Sequence, residues 1–188
     1  MDKENHIIDT TKEWINRFVI GLNLCPFAKF PYTNDLIKYS ISEKKSVRFA
    51  IEDCFNSINL ILNCAADTVS NTFVILPNCK LFEDILILKE SIDDLLEQTE
   101  LSSIIQCVAF HPDFVFHDES MHASGNFTNR SPYAMMHFLR VDEVRYAIAH
   151  YDKVHDIPKI NQSKLNKLGI KRISEIFEDD FLKRISNL

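Results

Sequence analysis

The feature that most constrains the fold of this 188-residue chain is a regular alternation of strand-like and helix-like sequence in its first two thirds. Short apolar or alternating runs indicate strands, whereas apolar residues repeated every three or four positions indicate amphipathic helices. Two successive strand–helix–strand units favour right-handed crossovers and a parallel sheet. The alternation predicts strands at 36–41, 73–76 and 104–110, and helices at 46–65 and 81–98.

The N-terminal part predicts one further helix. Residues 10–24 carry apolar side chains at helical spacing, and Thr10 and Glu13 match a capping box, in which a hydroxyl and a carboxylate bind the free N–H groups of the first turn. We expect the polar residues 1–9 to be frayed.

Helical patterns return after the alternating region. They predict helices at 133–139 and 141–151, and a tail at 162–188 of two short helices broken at Gly169 and packed on the main body. We therefore predict an α/β (or α+β) fold with a small, mainly parallel sheet of about three strands, helices packed on it and a helical C-terminal flank. Residues 1–188 are expected to form a single domain.

Composition limits the classes of partner. The net charge of −6 provides no basic field for nucleic acid or an anionic membrane surface. No apolar run approaches the roughly 18 residues of a spanning helix. The five cysteines form no C-x-x-C pair, and no hydrophobic leader precedes them, so we expect reduced thiols in a cytoplasmic protein. The sequence does not indicate an oligomeric state.

A polar segment after the third strand contains most of the candidate functional residues. Ligands of open parallel sheets collect at the carboxyl ends of the strands. His111 leaves the third strand at this edge, on a backbone restricted by Pro112, and suits a general acid or base. Alternatively, His111 only ties down the loop by binding backbone carbonyls.

Arg130 lies where the sequence predicts the start of a helix. Ser131 would be the N-cap and Pro132 the first helical residue. An arginine beside free helix N–H groups can hold a carboxylate or phosphate. The alternative is a structural ion pair between Arg130 and Asp113 or Asp118.

The other histidines differ in their surroundings. His137 lies between Met136 and Phe138, so it is either a satisfied core residue or a substrate-binding group. His117 and His122 have the neighbours of solvated loop residues.

Cys25 differs from Cys54, Cys64 and Cys107, which lie in core patterns. It follows the first predicted helix and precedes Pro26. A helix C-terminus raises the pKa of a thiol, so a nucleophilic role requires the approach of His111 or Arg130. A small packed residue is the alternative.

Cofactor motifs are absent. The chain has three glycines and neither a dinucleotide fingerprint nor a P-loop, so no cofactor is identified. Imidazoles and carboxylates suit zinc or iron, but the histidine spacing matches no ligand signature, so a metal stays an open alternative.

Three longer motifs carry a family resemblance. They are VIGLNLCPFA at 19–28, FHPDF at 110–114 and NFTNRSPY at 126–133, followed by His137 and Arg140. Over roughly residues 10–155 the chain resembles the uncharacterised bacterial family catalogued as domain of unknown function 1415. The resemblance implies no activity for any residue. It implies one shared pattern, from which the chain departs at Ala134, where a second proline is usual, and at 117–125.

These observations support three hypotheses. The first is a cytoplasmic enzyme acting on a small anionic molecule, with His111 as general acid or base and Cys25 as nucleophile, and with Asn129, Arg130 and His137 binding substrate. The second is a non-catalytic binding or protein-interaction module. The third is a metal-dependent enzyme using His111 and His137.

Overall fold

The computed structural model describes residues 3–149 and 157–176. None of the helices in these two ranges has both the length and the apolar character needed to cross a membrane. The elements in chain order are α1 (Lys3–Trp14), a π-helical turn (Ile15–Ile20), α2 (Lys29–Thr33), β1 (Ile37–Ile41), α3 (Val47–Asn63), β2 (Asn71–Leu76), α4 (Phe82–Gln98), β3 (Ile105–Phe110), β4 (Ala134–Arg140), α5 (Val141–Ala149) and α6 (Ile157–Ile176); short 3-10 turns lie at Leu101–Ser103 and Ser124–Thr128.

The described strands form one sheet in the order β1-β2-β4-β3. β1 pairs with β2 in parallel, whereas β4 is antiparallel to both β2 and β3. The mixed α/β fold is thus confirmed, and β1, β2 and β3 run in the same direction, as predicted. The pairing is not mainly parallel, however, because only β1 and β2 form a parallel pair. The sheet nevertheless has four strands rather than about three, because β4 inserts between β2 and β3.

The prediction of a helix at 133–139 was wrong. Residues Ala134–Arg140 form β4, which is paired on both edges and covered on both faces, so its apolar run shows no alternation. Ser131 is not an N-cap: its hydroxyl donates to the carbonyl of Tyr133 at 2.6 Å.

Two apolar cores lie on opposite faces of the sheet. The α3/α4 core includes alternate residues of β3 and β4, and the α1/α6 core includes the residues between them. The main buried members of the α3/α4 core are Ala50, Ile58, Ile61, Ile85, Leu88, Ile92, Cys107, Ala109, Met136 and Phe138. Those of the α1/α6 core are Trp14, Phe18, Ile37, Phe73, Ile75, Phe127, Met135, Leu165 and Ile173.

The N-terminal helix begins earlier than predicted. α1 starts at Lys3 and buries Ile7, so the described part of 1–9 is helical rather than frayed. The hydroxyl of Thr10 donates to the carbonyl of His6, one turn earlier, and therefore does not cap a helix N-terminus. The burial of Ile7 in the α1/α6 core explains why the helix extends over this polar stretch.

The C-terminal helix confirms the predicted break. Gly169 has φ 74° and ψ 158°, which interrupts α6 and suits a residue without Cβ. Leu165 and Ile173, on either side of the break, are buried in the α1/α6 core, so this part of the tail packs on the sheet. The remainder of the predicted tail, 177–188, lies outside the described residues.

Arg140 joins the end of β4 to the C-terminus of α3. Its Nη2 donates to the carbonyls of Ile61 and Cys64 at 2.6 and 2.5 Å, and its Nε donates to that of Val69 at 3.1 Å. A cationic side chain satisfies the last carbonyls of a helix favourably, because these carry the negative end of the helix dipole.

Candidate functional site

His111 and Asn129 meet where β3 ends and the chain approaches β4. The backbone N–H of His111 donates to the carbonyl of Asn129 at 3.2 Å. The side-chain amide of Asn129 donates to the carbonyl of Ala109 at 3.1 Å. These bonds join two segments that the sequence separates, and they place both candidates at the carboxyl end of the sheet.

The hydrogen bonds of His111 define its tautomer. Its side chain is 1% exposed, and its Nδ1 accepts the backbone N–H of Asp113 at 3.0 Å. A backbone N–H can only donate, so the neutral ring carries its proton on Nε2. Nε2 is buried and has no partner among the described residues. Burial lowers the pKa of His111, and the nearby Asp113 carboxylate opposes this effect.

His111 lies beside the N-terminus of α4. Its ring centroid is 5.7 Å from that of Phe82, the first residue of α4, and Phe114 packs edge-on against Phe82 at 5.1 Å. Lys80 and Glu83 are close enough to influence the charge of the imidazole. No side chain caps α4 at Leu81, so the first-turn N–H groups are free of a side-chain acceptor.

Arg130 is a clamp on backbone carbonyls. It is 3% exposed; its Nε donates to the carbonyl of Phe114 at 3.0 Å and its Nη2 to that of Met121 at 2.7 Å. The guanidinium also lies 5.0 Å from the ring of Phe127. Burial lowers the pKa of Arg130, and Asp113 opposes that shift. A structural role for Arg130 was one of the two predicted alternatives. The predicted partners were the carboxylates of Asp113 or Asp118, whereas the observed partners are backbone carbonyls.

Asn126 performs a similar task and was not among the predicted site residues. Its Oδ1 accepts the N–H of Phe116 at 3.1 Å, and its Nδ2 donates to the carbonyl of Ser120 at 2.7 Å. We call residues 112–123 the anchored loop, because Asn126 and Arg130 together bind its backbone at four points. The position of Asn126 inside the NFTNRSPY motif was the signal that could have identified it.

His137 lies on the opposite face of the sheet from His111. Its ring stacks on that of Phe73, in the α1/α6 core, with centroids 3.9 Å apart and planes 7° apart. Its Nε2 is 3.0 Å from Oδ1 of Asn71. Burial lowers the pKa of His137 to about 3. His137 therefore does not share a site with His111, and one metal ion bound by both, as the third hypothesis requires, does not fit this arrangement.

The depressed pKa of His137 predicts a specific dependence of stability on pH. The unfolded ring titrates near its ordinary value of 6.5, but the folded ring stays neutral down to about 3. Above pH 6.5 neither the folded nor the unfolded state binds the proton, so His137 does not lower the free energy of unfolding there. Below 6.5 only the unfolded state binds it, and one such group lowers the free energy of unfolding by about 1 kcal/mol per pH unit.

Urea unfolding between about pH 6.5 and pH 4.5 measures this slope. We expect a shallower slope in His137→Phe than in wild type, because the substitution removes the group that only the unfolded state protonates in this pH range. Equal slopes in wild type and His137→Phe would contradict the assignment.

The structure does not join Cys25 to the other candidates by a hydrogen bond. Among the described residues, neither His111 nor Arg130 bonds its thiol or influences its pKa. Burial raises the pKa of Cys25, and the backbone N–H groups of Phe27 and Ala28 oppose the shift without reversing it. A thiol with a raised pKa is mainly protonated near neutral pH and is a weak nucleophile.

Alkylation rates test the state of Cys25. We expect iodoacetamide at neutral pH to modify Cys25 more slowly than free cysteine, with the rate still rising as the pH passes the ordinary thiol value of 9.0. Peptide mass spectrometry identifies the modified site. Faster reaction than free cysteine at neutral pH would instead support the nucleophile hypothesis.

The described residues contain no group of three or more histidine, cysteine, aspartate or glutamate side chains placed to hold a metal ion. The fold and these contacts define a mixed α/β protein with one four-stranded sheet, two helical layers and a buried imidazole at the carboxyl end of the sheet. The family model described as "Protein of unknown function (DUF1415)" matches residues 6–175, and the chain belongs to this family. No curated protein and no solved structure matches the chain.

Proposed function

We propose that this protein is an enzyme acting on a small anionic molecule that binds at His111. One observation carries the proposal: the Nε2–H of His111 is buried and has no acceptor among the residues described. An unsatisfied buried donor costs about 1–3 kcal/mol. An oxygen of a bound ligand would satisfy this N–H, so the site is suited to an oxygen-bearing group.

The tautomer narrows the role of His111. Because Nδ1 accepts the N–H of Asp113, the neutral ring donates from Nε2 and has no lone pair there to receive a proton. A low pKa keeps the ring neutral near pH 7. His111 is therefore proposed as an electrophile or general acid that polarises a carbonyl or stabilises an oxyanion, rather than as a general base.

The surroundings favour an anion of modest charge. Lys80 and the positive end of the α4 dipole, where no side chain caps the helix, attract negative charge beside His111. Glu83 and Asp84, in the same turn, offset part of that attraction. A ligand is then selected by its hydrogen bond to Nε2 more than by its total charge.

The anchored loop would control access to this site. Phe82 lies against the imidazole, and Phe114 of the loop packs on Phe82. The hydrogen bond from Arg130 to the carbonyl of Phe114 holds the ring of Phe114 against Phe82. Arg130 and Asn129 are thus positioning residues in this proposal, and Cys25 and His137 take no part in it.

Calorimetric titration with acetate and with inorganic phosphate tests the binding step. We expect saturable binding to wild type and to His137→Phe, and loss of binding in His111→Phe, which keeps a ring beside Phe82. Binding to His111→Phe with unchanged affinity would refute the assignment of the site.

Turnover needs a separate assay. A mixture of small carboxylates and phosphate esters is incubated with wild type or His111→Phe and followed by mass spectrometry. Consumption of a compound by wild type alone would support an enzyme. Binding without consumption would support a non-catalytic binding module.

An interaction module is the second candidate function, and two exposed rings favour it. Phe30 on α2 is 69% exposed and Phe49 on α3 is 68% exposed. Self-association through either ring would remove its exposed apolar surface from water. Size-exclusion chromatography of wild type and of Phe30→Ser with Phe49→Ser tests this candidate; equal elution of both at all concentrations would argue against self-association through these rings.

A further inference from the structure

A chain of hydrogen bonds connects His137 to a carboxylate on α5. The hydroxyl of Ser70 donates to Oε2 of Glu143 at 2.6 Å, and the amide Nδ2 of Asn71 donates to Oγ of Ser70 at 3.2 Å. Oδ1 of Asn71 then lies 3.0 Å from Nε2 of His137. Since a carboxylate only accepts, each donor in the series is fixed, and the proton of the neutral imidazole must be on Nε2.

This direction leaves Nδ1 of His137 as an acceptor. Nδ1 has no hydrogen-bond partner within the described ranges, and the side chain of His137 is partly accessible to solvent. Stacking on Phe73 and the bond to Asn71 fix the orientation of the ring. An oriented imidazole with a free lone pair and a third group that sets its tautomer is the arrangement found in binding and catalytic sites.

Apolar and aromatic side chains surround this acceptor on the same face. Val108 pairs with His137 across the sheet, and the ring of Phe110 lies 6.3 Å from that of His137. Val108 and Phe110 are both partly accessible. Trp14 packs edge-on against Phe110 at 5.3 Å. We call Phe73, Val108, Phe110 and His137 the His137 patch.

A second polar atom without a partner in the described ranges belongs to Trp14, whose ring packs against Phe110 of the patch. The indole Nε1–H of Trp14 is buried, and it has no partner among the residues that the structure describes. The patch and its neighbour Trp14 therefore combine ring surfaces with an acceptor on His137 and a donor on Trp14 that no described residue satisfies. Small-molecule sites typically have this composition, in which apolar walls supply affinity and a few polar atoms fix orientation.

We infer that the His137 patch binds a flat aromatic molecule carrying a hydroxyl or N–H group, which donates to Nδ1 of His137. The ring of the ligand packs on Phe110 and Val108, and its donor satisfies the lone pair that the Ser70–Asn71 relay directs outward. A neutral imidazole offers no charge to an anion, so this ligand differs in class from the one proposed at His111. The two sites lie on opposite faces of the sheet and are independent.

NMR titration with phenol and with toluene tests the inference, because the two probes share a ring and only phenol has a donor. We expect phenol to shift the resonances of His137, Val108 and Phe110 saturably, with an affinity about fivefold higher than that of toluene, as one net hydrogen bond provides. His137→Phe retains a ring over Phe73 and should abolish the preference. Asn71→Leu should weaken it, and His111→Phe should leave it unchanged.

Equal affinity for the two probes, or a phenol preference that persists in His137→Phe, would overturn the inference. Loss of the preference in His111→Phe alone would assign phenol to the other site and would also overturn it.

A second measurement uses only the wild-type protein. Diethyl pyrocarbonate attacks accessible imidazole nitrogens that carry a free lone pair, as Nδ1 of His137 does. We expect His137 to be modified, and phenol to slow its modification. No modification of His137, or no protection by phenol, counts against the inference.

Discussion

Replacing Phe138 with alanine is expected to lower the free energy of unfolding by about 3–5 kcal/mol. Phe138 lies in β4, the strand that pairs with both β2 and β3, and its side chain is fully buried between the sheet and α3/α4. Truncation removes a large apolar contact area and leaves a cavity. Because β4 is hydrogen-bonded to a strand on each edge, the backbone cannot easily shift to fill that cavity. Urea unfolding followed by circular dichroism measures the loss.

Phe49→Ala is the matched control for this substitution. Phe49 lies on α3 and is 68% exposed, so its truncation should change the free energy of unfolding by less than about 0.5 kcal/mol. Similar losses in the two variants would contradict the position of Phe138 in the α3/α4 core.

Arg130→Met is expected to lower the free energy of unfolding by about 2–3 kcal/mol. The substitution keeps much of the side-chain length but removes the charged donors to the carbonyls of Phe114 and Met121. Both carbonyls belong to the anchored loop, so amide hydrogen exchange should also accelerate between residues 112 and 123. Arg130→Lys should recover only part of the stability, because an ammonium lacks the planar fork that reaches two carbonyls.

Arg145→Met provides the comparison for Arg130→Met. Arg145 is exposed and pairs with Asp142 at 3.6 Å on the surface of α5. Exposed pairs of this kind contribute about 0–1 kcal/mol. If Arg130→Met were no more destabilising than Arg145→Met, the clamp would have no energetic role.

Sequence periodicity was sufficient for the elements whose residues repeat at a clear spacing. The helices predicted at 46–65 and 81–98 correspond to Val47–Asn63 and Phe82–Gln98. The strands predicted at 36–41 and 104–110 also agree within one residue. In each of these helices and strands one face is more buried than the other. The spacing of the apolar residues therefore indicates whether the segment is a helix or a strand.

The same reasoning could not identify β4. Its sequence, AMMHFLR, has neither a period of two nor helical spacing, because both faces of a central strand are buried. Ser131 and Pro132 also imitate a helix start. Only pairing with β2 and β3, which are distant in sequence, determines the conformation of this segment.

The candidate site was predictable in position but not in detail. A polar turn after a buried strand placed His111 at the carboxyl end of the sheet. The tautomer of His111 depends on the direction of the N–H of Asp113, which a sequence does not reveal. The partners of Arg130 are backbone carbonyls, and every residue has one, so the sequence does not indicate which of them Arg130 binds. The side of the sheet on which His137 lies depends on its position in β4. Because the sequence predicted a helix there, it could not predict that side.

The most direct test of the account is the protonation state of the His111 ring, measured by long-range ¹H–¹⁵N NMR with and without inorganic phosphate. We predict a neutral ring protonated at Nε2 at neutral pH, with its nitrogen resonances shifting saturably as phosphate is added. A ring protonated at Nδ1, or an Nε2 resonance that does not shift at saturating phosphate or acetate, would contradict the proposed role of His111.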